Sequence, residues 1–344
     1  MPQSIGCLDD FPRCRLAHLP TPIEPMPNLS RQLGGARAYI KRDDCTGLAL
    51  GGNKIRQLEY YVGAAEAEGA DTLLITGAVQ SNFVRSTVAA AAKRGMACHV
   101  QLEERVPDPS GTYRVSGNVL LDRLMGATVH SYPEGENEAG ADHRLGEIAD
   151  VLKREGRRPY IVPLSPGHPP IAALGYVDAA RELVQQLSTL DEAIDEIYVA
   201  SGSGSTHAGL LFGLRALGCP IPVLGVCVRR AAKLQLPRIA DKCKEIAQLL
   251  RMVNPVTSED VRVDDRVLPP GYGRMNLAVA NAIRSSAASE AILLDPVYTG
   301  RVMACLMMVA QERERARKQC VLMIHSGGTP ALFAYEPEVS ASLV

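Results

Sequence analysis

The 344-residue chain contains no tryptophan and only four phenylalanines, so a surface that stacks nucleobases on aromatic rings is not expected. Its 37 lysines and arginines nearly balance 38 aspartates and glutamates, which argues against a nucleic acid or an anionic membrane as partner. No uncharged segment is as long as a membrane span, and Asp9 and Asp10 stand where a signal peptide would need an apolar core. The sequence therefore predicts a cytoplasmic protein that binds neither nucleic acid nor membrane.

The nine cysteines form no C-x-x-C pair and no other metal-ligand spacing, and their odd number does not suit a framework of disulfides. They are expected to be reduced thiols, most of them packing residues. The seven histidines are dispersed, so no metal site is predicted. With 46% hydrophobic and 22% charged residues, the chain is expected to be globular and long enough for two domains.

Short apolar runs alternate with segments of helical periodicity, which predicts βαβ units and parallel sheets. The predicted strands are 71–76, 97–102, 159–163, 196–200, 221–228 and 320–325. The predicted helices are 55–67, 81–94, 171–187, 237–250 and 299–318, the last ending in a charged run, 312–318, that is interpreted as a solvated face. The segment 165–170, rich in Pro and Gly, is interpreted as the domain crossing, and the irregular stretch 254–273 as a loop over a site.

Lys54 follows two glycines in Gly51-Gly52-Asn53-Lys54 and precedes a predicted amphipathic helix. Glycines let backbone or ligand come close, which suits an amine whose pKa is lowered by desolvation and that forms a Schiff base with a carbonyl cofactor. Taken alone, the motif is explained more simply by a solvated surface lysine.

A second glycine-rich turn, Ser201-Gly202-Ser203-Gly204-Ser205-Thr206, joins the predicted strand 196–200 to a helix. Backbone N–H groups and the helix dipole make such a turn a cradle for a phosphate monoester. It lacks the lysine of a Walker A loop, and the third glycine of a dinucleotide fingerprint is replaced by His207. An ordinary glycine-rich turn explains this motif alone equally well.

Two further turns follow predicted strands. Ser81 is suited to cap a helix whose free amides grip a carboxylate, and Ser326 opens a turn with two glycines after the last strand. Ligands collect at the carboxyl ends of the strands of an open parallel sheet. These turns are therefore expected to meet in one crevice, together with Tyr272 and Tyr298, which stand in Gly- and Pro-rich segments. Taken alone, the turns are explained by helix capping and the tyrosines by core packing.

Together the motifs resemble a known family. KRDDCTGLALGGNKIRQLE, GAVQSNFVR, ASGSGSTHAGL, PPGYG, LLDPVYTG and IHSGGTPALFAY occur in this order between Pro12 and Pro337. They are similar to the D-cysteine desulfhydrase and 1-aminocyclopropane-1-carboxylate deaminase family. The resemblance implies an α/β enzyme of PLP (pyridoxal 5'-phosphate) fold type II, the tryptophan synthase β type. Two open twisted parallel-sheet domains, a larger one of 1–54 plus 164–344 and a smaller one of 55–163, would hold the cofactor between them in each subunit of a homodimer.

Carried over residue by residue, the resemblance implies that Lys54 carries the cofactor and moves protons at the substrate carbons. Ser81 is expected to bind the substrate carboxylate or assist proton transfer, and Asn82 to bind the phenolic oxygen of the cofactor. Tyr272 and Tyr298 are expected to face the substrate and its leaving group. The resemblance also implies that the cofactor phosphate is bound by Ser201, Gly202, Ser203, Gly204, Ser205 and Thr206. The pyridine ring would lie near Ser326, and the substrate near Gln80, Phe83 and His168.

One position indicates which reaction the chain catalyses. Deaminases of this family that open a cyclopropane carry Glu directly after the tyrosine of DPVY, where it keeps the pyridine nitrogen protonated. Thr299 stands at this position, as in the desulfhydrase pattern. This favours β-elimination from a small C3-substituted amino acid, which releases pyruvate, ammonia and a sulfur leaving group.

Two departures from the desulfhydrase pattern bear on the substrate. Phe83 stands where the family usually has His, and 165–170 replaces a Gly-Gly-Ser substrate loop. D-cysteine with sulfide release is the first candidate, and L-cysteate with sulfite release is an alternative in which Arg85, His168 or the Ser-rich turns meet the sulfonate. Deamination of 1-aminocyclopropane-1-carboxylate, racemisation, and non-catalytic binding of PLP or an amino acid are further alternatives.

Overall fold

The computed structural model describes residues 4–164, 167–312 and 319–342. The strands in these ranges are β1 (Ile23–Pro25), β2 (Arg37–Lys41), β3 (Thr72–Ala78), β4 (Ala97–Glu103), β5 (Thr128–Tyr132), β6 (Pro159–Val162), β7 (Glu196–Ser201), β8 (Val223–Cys227), β9 (Arg262–Asp264) and β10 (Cys320–Ile324). The helices are α1 (Pro27–Gln32), α2 (Asn53–Ala67), α3 (Asn82–Lys93), α4 (Asn118–Leu124), α5 (Glu138–Arg154), α6 (Ile171–Leu187), α7 (Ser205–Ala216), α8 (Ala232–Leu249), α9 (Leu277–Glu290), α10 (Thr299–Glu312), α11 (Thr329–Ala334) and α12 (Glu336–Ala341). None of these helices is long and apolar enough to cross a membrane.

The strands form two sheets. The larger has the order β1-β2-β10-β7-β8-β9, in which β1 is antiparallel to β2 and the other pairs are parallel. The smaller has the order β5-β4-β3-β6 and is parallel throughout. The predicted parallel α/β architecture is thus confirmed. The strands β3–β6 lie within 55–163 and the others outside it, while the residue limits of the two domains stay a prediction.

Both sheets are covered on both faces, as the alternation of side chains along a strand requires. In β10, Cys320, Leu322 and Ile324 pack against α6, α7 and α8, whereas Val321 and Met323 pack against α1, α9 and α10. In β3, Leu73 and Ile75 face α2 and α3, whereas Leu74 faces α5. Strands buried on both faces read as continuous apolar runs, which is why their positions could be predicted from the sequence.

The structure departs from the sequence predictions in a few elements. Helix α8 begins at Ala232 and contains Pro237 in its second turn, so proline did not mark its start. The solvent-facing edge strand β5 and the helix α5 were not predicted, because half-exposed TVHSY carries little apolar signal. The stretch 254–273 includes β9 but is otherwise irregular, and residues 313–318 of the charged run and residues 165–166 of the predicted crossing lie outside the described residues.

A buried ion-pair network fixes the start of α2, the helix that carries Lys54. Arg56 donates from Nε and Nη2 to both oxygens of Asp43, at 3.0 and 2.9 Å. It also donates from Nη1 and Nη2 to Glu182 of α6, at 3.0 and 2.9 Å. Burial opposes ionisation of Asp43, but Arg56 and Lys41 outweigh it and lower the pKa of that carboxyl. The network therefore joins α2 to β2 and α6 of the larger sheet.

Replacement of this arginine by an apolar side chain tests the network. In Arg56→Met the Asp43 carboxylate stays buried without its partner, so the free energy of unfolding should fall by about 3–5 kcal/mol. The control Arg37→Met removes an exposed arginine paired with Glu192 and should cost about 1 kcal/mol or less. Urea titrations followed by circular dichroism measure both values. Equal losses in the two variants would show that the buried network does not stabilise the fold.

Candidate active site

A pocket lies where the carboxyl ends of strands from both sheets face each other. Its walls include Thr76 to Ala78 at the end of β3, Glu103 at the end of β4, Ala200 in β7, Val228 after β8 and Ser326 after β10. The empty volume, counted to its open mouth, is about 1000 Å³. The carboxyl ends of the parallel strands thus meet at one cleft, as the turns in the sequence predicted.

The turn before Lys54 packs directly on the turn after β10. Asn53 N donates to Ser326 O at 3.0 Å. Gly327 has φ +90°, and a Cβ on it would stand 2.6 Å from Gly52 Cα. Gly51 has φ +62°, and a Cβ there would stand 2.0 Å from a backbone oxygen of Asp44. Only glycine permits this approach, which places Lys54 at the pocket wall.

The Lys54 amine is held in a setting that favours its neutral form. Its Nζ lies 5.1 Å from the centroid of the Phe83 ring and has no hydrogen-bond partner among the described residues. Burial lowers the pKa of Lys54 from 10.5 to about 8. A cation over an aromatic face is partly stabilised, but one ring does not replace the water that burial removes. Lys54 is therefore a half-buried amine at the pocket wall that can act as base or nucleophile near neutral pH.

The glycine-rich loop after β7 forms an anion cradle. Its outward carbonyls are occupied, since Gln235 Nε2 donates to Gly202 O at 3.1 Å and Arg238 Nε donates to Ser203 O at 3.1 Å. Gly204, with φ +98°, precedes α7, whose first amides have no partner within the helix. Thr206 Oγ1 already accepts two bonds, so its own hydrogen remains for a ligand. These donors suit a phosphate dianion.

Thr206 also joins this cradle to the lysine helix. Its Oγ1 accepts from Asn53 Nδ2 and from Gln57 Nε2, both at 2.8 Å. Asn53 is the residue before Lys54, and both amides belong to α2. A ligand bound at the cradle is consequently held at a fixed position relative to the Lys54 amine.

A buried histidine supports the cradle from behind. His207 Nδ1 lies 3.1 Å from Ser201 Oγ, which also accepts from Gln235 Nε2 at 2.9 Å. Burial lowers the pKa of His207 to about 4, so the ring is neutral at physiological pH. Gly225 of β8 leaves room for it, because a Cβ there would stand 2.3 Å from the ring. Ser201 and His207 therefore hold the loop in place.

Ser81 and Asn82 begin α3 at the opposite wall. Ser81 Oγ accepts from Val84 N at 3.2 Å and caps the helix, so its own hydrogen remains available to a ligand. Asn82 Oδ1 accepts from Asn118 Nδ2 at 3.0 Å, which fixes the amide and leaves Asn82 Nδ2 as a donor. The wall therefore offers a hydroxyl, an amide and a helix N-terminus to an anionic or carbonyl group.

Two tyrosines and an arginine form another part of the pocket wall. Tyr272 and Tyr298 share one hydrogen bond, with their hydroxyl oxygens 3.0 Å apart and their rings nearly perpendicular. Burial and the neighbouring Tyr272 raise the pKa of Tyr298 well above its ordinary value, so it stays protonated. Arg105 donates from Nε and Nη2 to Glu103 Oε2, at 2.9 and 2.6 Å. Glu103 Oε1 accepts from Thr76 Oγ1 at 2.7 Å.

Ion pairs link the two sheets beside the pocket. Glu138, the first residue of α5, accepts from Arg229 Nη1 at 2.7 Å and from Arg230, both after β8. Arg229 Nη2 lies 3.1 Å from Glu136 Oε2. Burial opposes ionisation of Glu138, but Arg230, Arg229 and Arg238 outweigh it and lower its pKa. The small sheet is thus held to the large one at the pocket wall.

The structure brings most of the predicted site residues together and separates a few. The pocket is lined by Lys54, Ser81, Asn82, Phe83, Gly202, Ser203, Gly204, Thr206, Tyr272, Tyr298 and Ser326. Gln80 is not in the lining, because its amide donates to the carbonyls of Tyr113 and Ser116 and thereby holds the turn. Ser201 is buried behind the loop, and Ser205 and the exposed His168 lie in a smaller adjoining pocket.

Thr299, the residue on which the predicted choice between reactions rests, forms its hydrogen bonds with Asp295 rather than in the pocket. Thr299 Oγ1 donates to Asp295 Oδ1 at 2.7 Å and accepts from Asp295 N at 2.8 Å. Asp295 caps α10 through the amides of Val297, Tyr298 and Thr299. Thr299 is fully buried and is not in the pocket lining. Ser326, which follows β10, does line the pocket.

Several lining residues were not predicted from the sequence: Asn53, Thr76, Glu103, Arg105, Glu138, Asp142 and Arg229. For Glu103 and Arg105 a signal existed, since both stand at the carboxyl end of the predicted strand 97–102, where ligands collect. Glu138 and Arg229 carried no such signal, because their pairing joins segments 91 residues apart.

Comparison with known proteins agrees with this geometry. A family model described as pyridoxal-phosphate dependent enzyme matches residues 14–327. A D-cysteine desulfhydrase of Salmonella paratyphi C (strain RKS4594) is 41% identical over 332 residues, 96% of this chain and 98% of that protein. One from Klebsiella pneumoniae (strain 342) is 41% identical over 336 residues, 98% of this chain and 100% of that protein. The solved structure of an ACC deaminase homologue superposes with a TM-score of 0.83 at 38% identity, covering 97% of each chain.

The lowered pKa of Lys54 can be tested by chemical labelling. In cofactor-free protein, a small aldehyde should label Lys54 with a pH midpoint near 8, because only the neutral amine attacks a carbonyl. The exposed Lys244, whose pKa is raised by its hydrogen bond to Asp241, serves as control and should react only at higher pH. Borohydride trapping at each pH and peptide mass spectrometry give both profiles. Coinciding midpoints would contradict the burial of the Lys54 amine.

Proposed function

The chain belongs to the pyridoxal-phosphate dependent enzymes, and we propose that it is a lyase that eliminates a sulfur group from C3 of an amino acid, releasing pyruvate and ammonia. The observation that carries this proposal is that the Lys54 amine, whose pKa is lowered, lines one pocket together with the hydrogen-bonded pair of Tyr272 and Tyr298. D-cysteine, with sulfide release, is the substrate best supported, because two D-cysteine desulfhydrases match nearly the whole chain at 41% identity.

The pocket fits the cofactor of this family. The amides at the start of α7 and the Thr206 hydroxyl would hold its phosphate, and Lys54 would carry its aldehyde carbon. Asn82 Nδ2 and the Ser326 hydroxyl remain as polar groups for its ring. When bound, the cofactor supplies an electron-withdrawing ring that stabilises negative charge at the substrate α carbon.

Lys54 is placed to move the α proton. A base must be neutral to accept a proton, and a pKa of about 8 leaves a usable neutral fraction near pH 7 to 8. The Ser81 hydroxyl and the amides at the start of α3 are available to the substrate carboxylate. This anchoring would keep the α carbon at the lysine while the rest of the substrate points toward the tyrosines.

The tyrosine pair is suited to protonate the leaving group. The two hydroxyls carry two protons, but their mutual hydrogen bond uses only one, so one proton remains for donation. The raised pKa of Tyr298 keeps the hydroxyl of this residue protonated across the working pH range. Protonation by an acid in the pocket facilitates departure of sulfide from C3.

The structural likeness to an ACC deaminase homologue supports a second candidate, ring opening of 1-aminocyclopropane-1-carboxylate to 2-oxobutyrate. The side chain at 299 disfavours it, because a threonine bound to Asp295 offers no carboxylic acid to the pocket. β-Elimination therefore remains the proposed reaction.

We also propose that the enzyme acts as a homodimer in the cytoplasm. Leu120 and Leu124 of α4 and Phe333 of α11 are exposed apolar side chains, which a second subunit would cover. The nine cysteines are free thiols, as is usual in a reducing compartment.

Product assays test the proposed reaction. Purified holoenzyme should release pyruvate and sulfide in equal amounts from D-cysteine, and Lys54→Ala should lower the rate by about 10²–10⁴-fold or more, the range for a lost general base. Lys93→Ala, at the distant end of α3, is the matched control and should keep full activity. Release of 2-oxobutyrate from 1-aminocyclopropane-1-carboxylate, with no pyruvate from D-cysteine, would support the deaminase instead.

The role of the tyrosine pair is tested by leaving-group dependence. Tyr298→Phe should reduce the turnover of D-cysteine by about 10²-fold or more, because it removes the proton donor. β-Chloro-D-alanine should lose much less, since chloride departs without protonation. The cofactor absorbance should not change, and Tyr160→Phe, outside the pocket, controls for general effects. Equal losses on both substrates would remove Tyr298 from this role.

A further inference from the structure

Arg85 is a fully buried arginine that lies outside both the Arg56 network and the pocket lining. It stands one turn into α3, where its backbone N donates to Ser81 O at 3.2 Å. Its Nη1 donates to Ala49 O, and its Nη2 donates to Gly51 O at 3.0 Å. As a contact for a sulfonate, one alternative from the sequence, Arg85 is unsuited, because its guanidinium binds these backbone carbonyls instead.

The two carbonyls belong to the turn that carries Lys54. Four consecutive residues of this turn, 49–52, have φ between +44° and +117°. Two of them, Ala49 and Leu50, are not glycine, and residues with a Cβ rarely adopt this left-handed conformation. Such a backbone persists only where its surroundings hold it in place. A guanidinium that binds two carbonyls of the turn is one such support.

Segments of both sheets support the turn. Gly52 N donates to Thr46 Oγ1 at 2.8 Å and to Asp43 O at 3.1 Å, and both partners follow β2 of the larger sheet. Arg85 comes from α3, which packs on the smaller sheet. A Cβ on Gly52 would stand 3.8 Å from Arg85 Nη2, so the guanidinium comes within two residues of Lys54 along the chain.

An arginine is well suited to hold such a turn. Its planar guanidinium presents N–H groups at a fixed spacing and keeps its charge when buried. Burial lowers the pKa of Arg85 to about 10, and Asp122 of α4, which is also buried, opposes this fall. The guanidinium is therefore charged at neutral pH, and its hydrogen bonds to Ala49 and Gly51 are charge-assisted.

The pocket end of α3 has anchors of its own. Ser81 Oγ accepts from Val84 N at 3.2 Å, and Asn82 Oδ1 accepts from Asn118 Nδ2 at 3.0 Å. Neither contact involves the side chain of Arg85. Loss of that side chain should therefore free the lysine turn and leave the Ser81 and Asn82 wall in place.

We propose that Arg85 is a positioning residue, which clamps the carbonyls of Ala49 and Gly51 and thereby keeps the Lys54 amine at its desolvated place in the pocket wall. Its effect on turnover rests on the proposed function, in which Lys54 is the base. Without the clamp, the two carbonyls have to find other hydrogen-bond donors, and the turn loosens. Water then reaches the amine, and the pKa of Lys54 rises from about 8 toward its ordinary value of 10.5.

Aldehyde labelling of cofactor-free protein tests the clamp without turnover. Arg85→Met keeps the length of the side chain but has no donor, so the pH midpoint for Lys54 should rise by about one unit or more. Arg85→Lys keeps the charge but lacks the second terminal nitrogen, so its midpoint should lie between those of wild type and Arg85→Met. Arg94→Met removes an exposed arginine paired with Glu66 at the end of α3, and its midpoint should stay near 8.

The pH dependence of turnover is a second readout. At pH 7, a rise of one unit in the pKa of the base lowers its neutral fraction about tenfold, so kcat for D-cysteine in Arg85→Met should fall by about that factor. The loss should be smaller at pH 9, where the neutral fraction recovers. KM should change less than about threefold, because the wall that binds the substrate carboxylate keeps its own anchors.

The outcomes separate the clamp from a purely structural role. A midpoint near 8 in folded Arg85→Met and Arg85→Lys would overturn the proposal and leave Arg85 a residue of stability alone. If a urea titration shows that Arg85→Met does not fold, Arg85→Lys decides: a raised midpoint supports the clamp, and an unchanged one overturns it. A raised midpoint in an enzyme that forms pyruvate from no amino acid would overturn the proposed function and leave the clamp standing.

Discussion

The exclusion of water from one amine is the constraint on which the rest of the structure depends. Lys54 acts as a base only in its neutral form, and desolvation lowers its pKa to about 8. The close contact of Gly52 with Gly327 places the lysine in this setting. The Arg56 network holds the helix on one side, and Thr206 joins it to the anion cradle on the other. Desolvation, anchoring and cofactor binding are therefore properties of the same few backbone segments.

The anion cradle and the rest of the pocket wall differ in the groups that carry charge. At the cradle, the described groups are mainly backbone amides and hydroxyls, which bind a dianion without adding a mobile cation. Elsewhere in the pocket wall, the charges are side chains that form ion pairs, Arg105 with Glu103 and Arg229 with Glu138. The second of these pairs also connects the two sheets, because Arg229 follows β8 and Glu138 begins α5.

The sequence predicts the strands buried on both faces and the turns at their carboxyl ends, because both carry strong local patterns. It therefore locates Lys54, Ser81, the loop 201–206 and Ser326. It does not reveal that Thr299 is bound to Asp295 or that Gln80 holds a turn, since these depend on which neighbour takes each hydrogen bond. Arg105 is missed although it stands just after the predicted strand 97–102, where a site residue could have been expected.

The close contact between Gly52 and Gly327 also decides where this enzyme can be redesigned. Random mutagenesis at 51, 52 or 327 adds atoms where the backbones already touch, so most library members there will be inactive irrespective of substrate. Phe83, Leu164 and Arg105 line the pocket with their side chains rather than shaping its backbone. Combinatorial libraries restricted to those three codons would vary substrate choice while the backbone turn that places the reactive amine is kept.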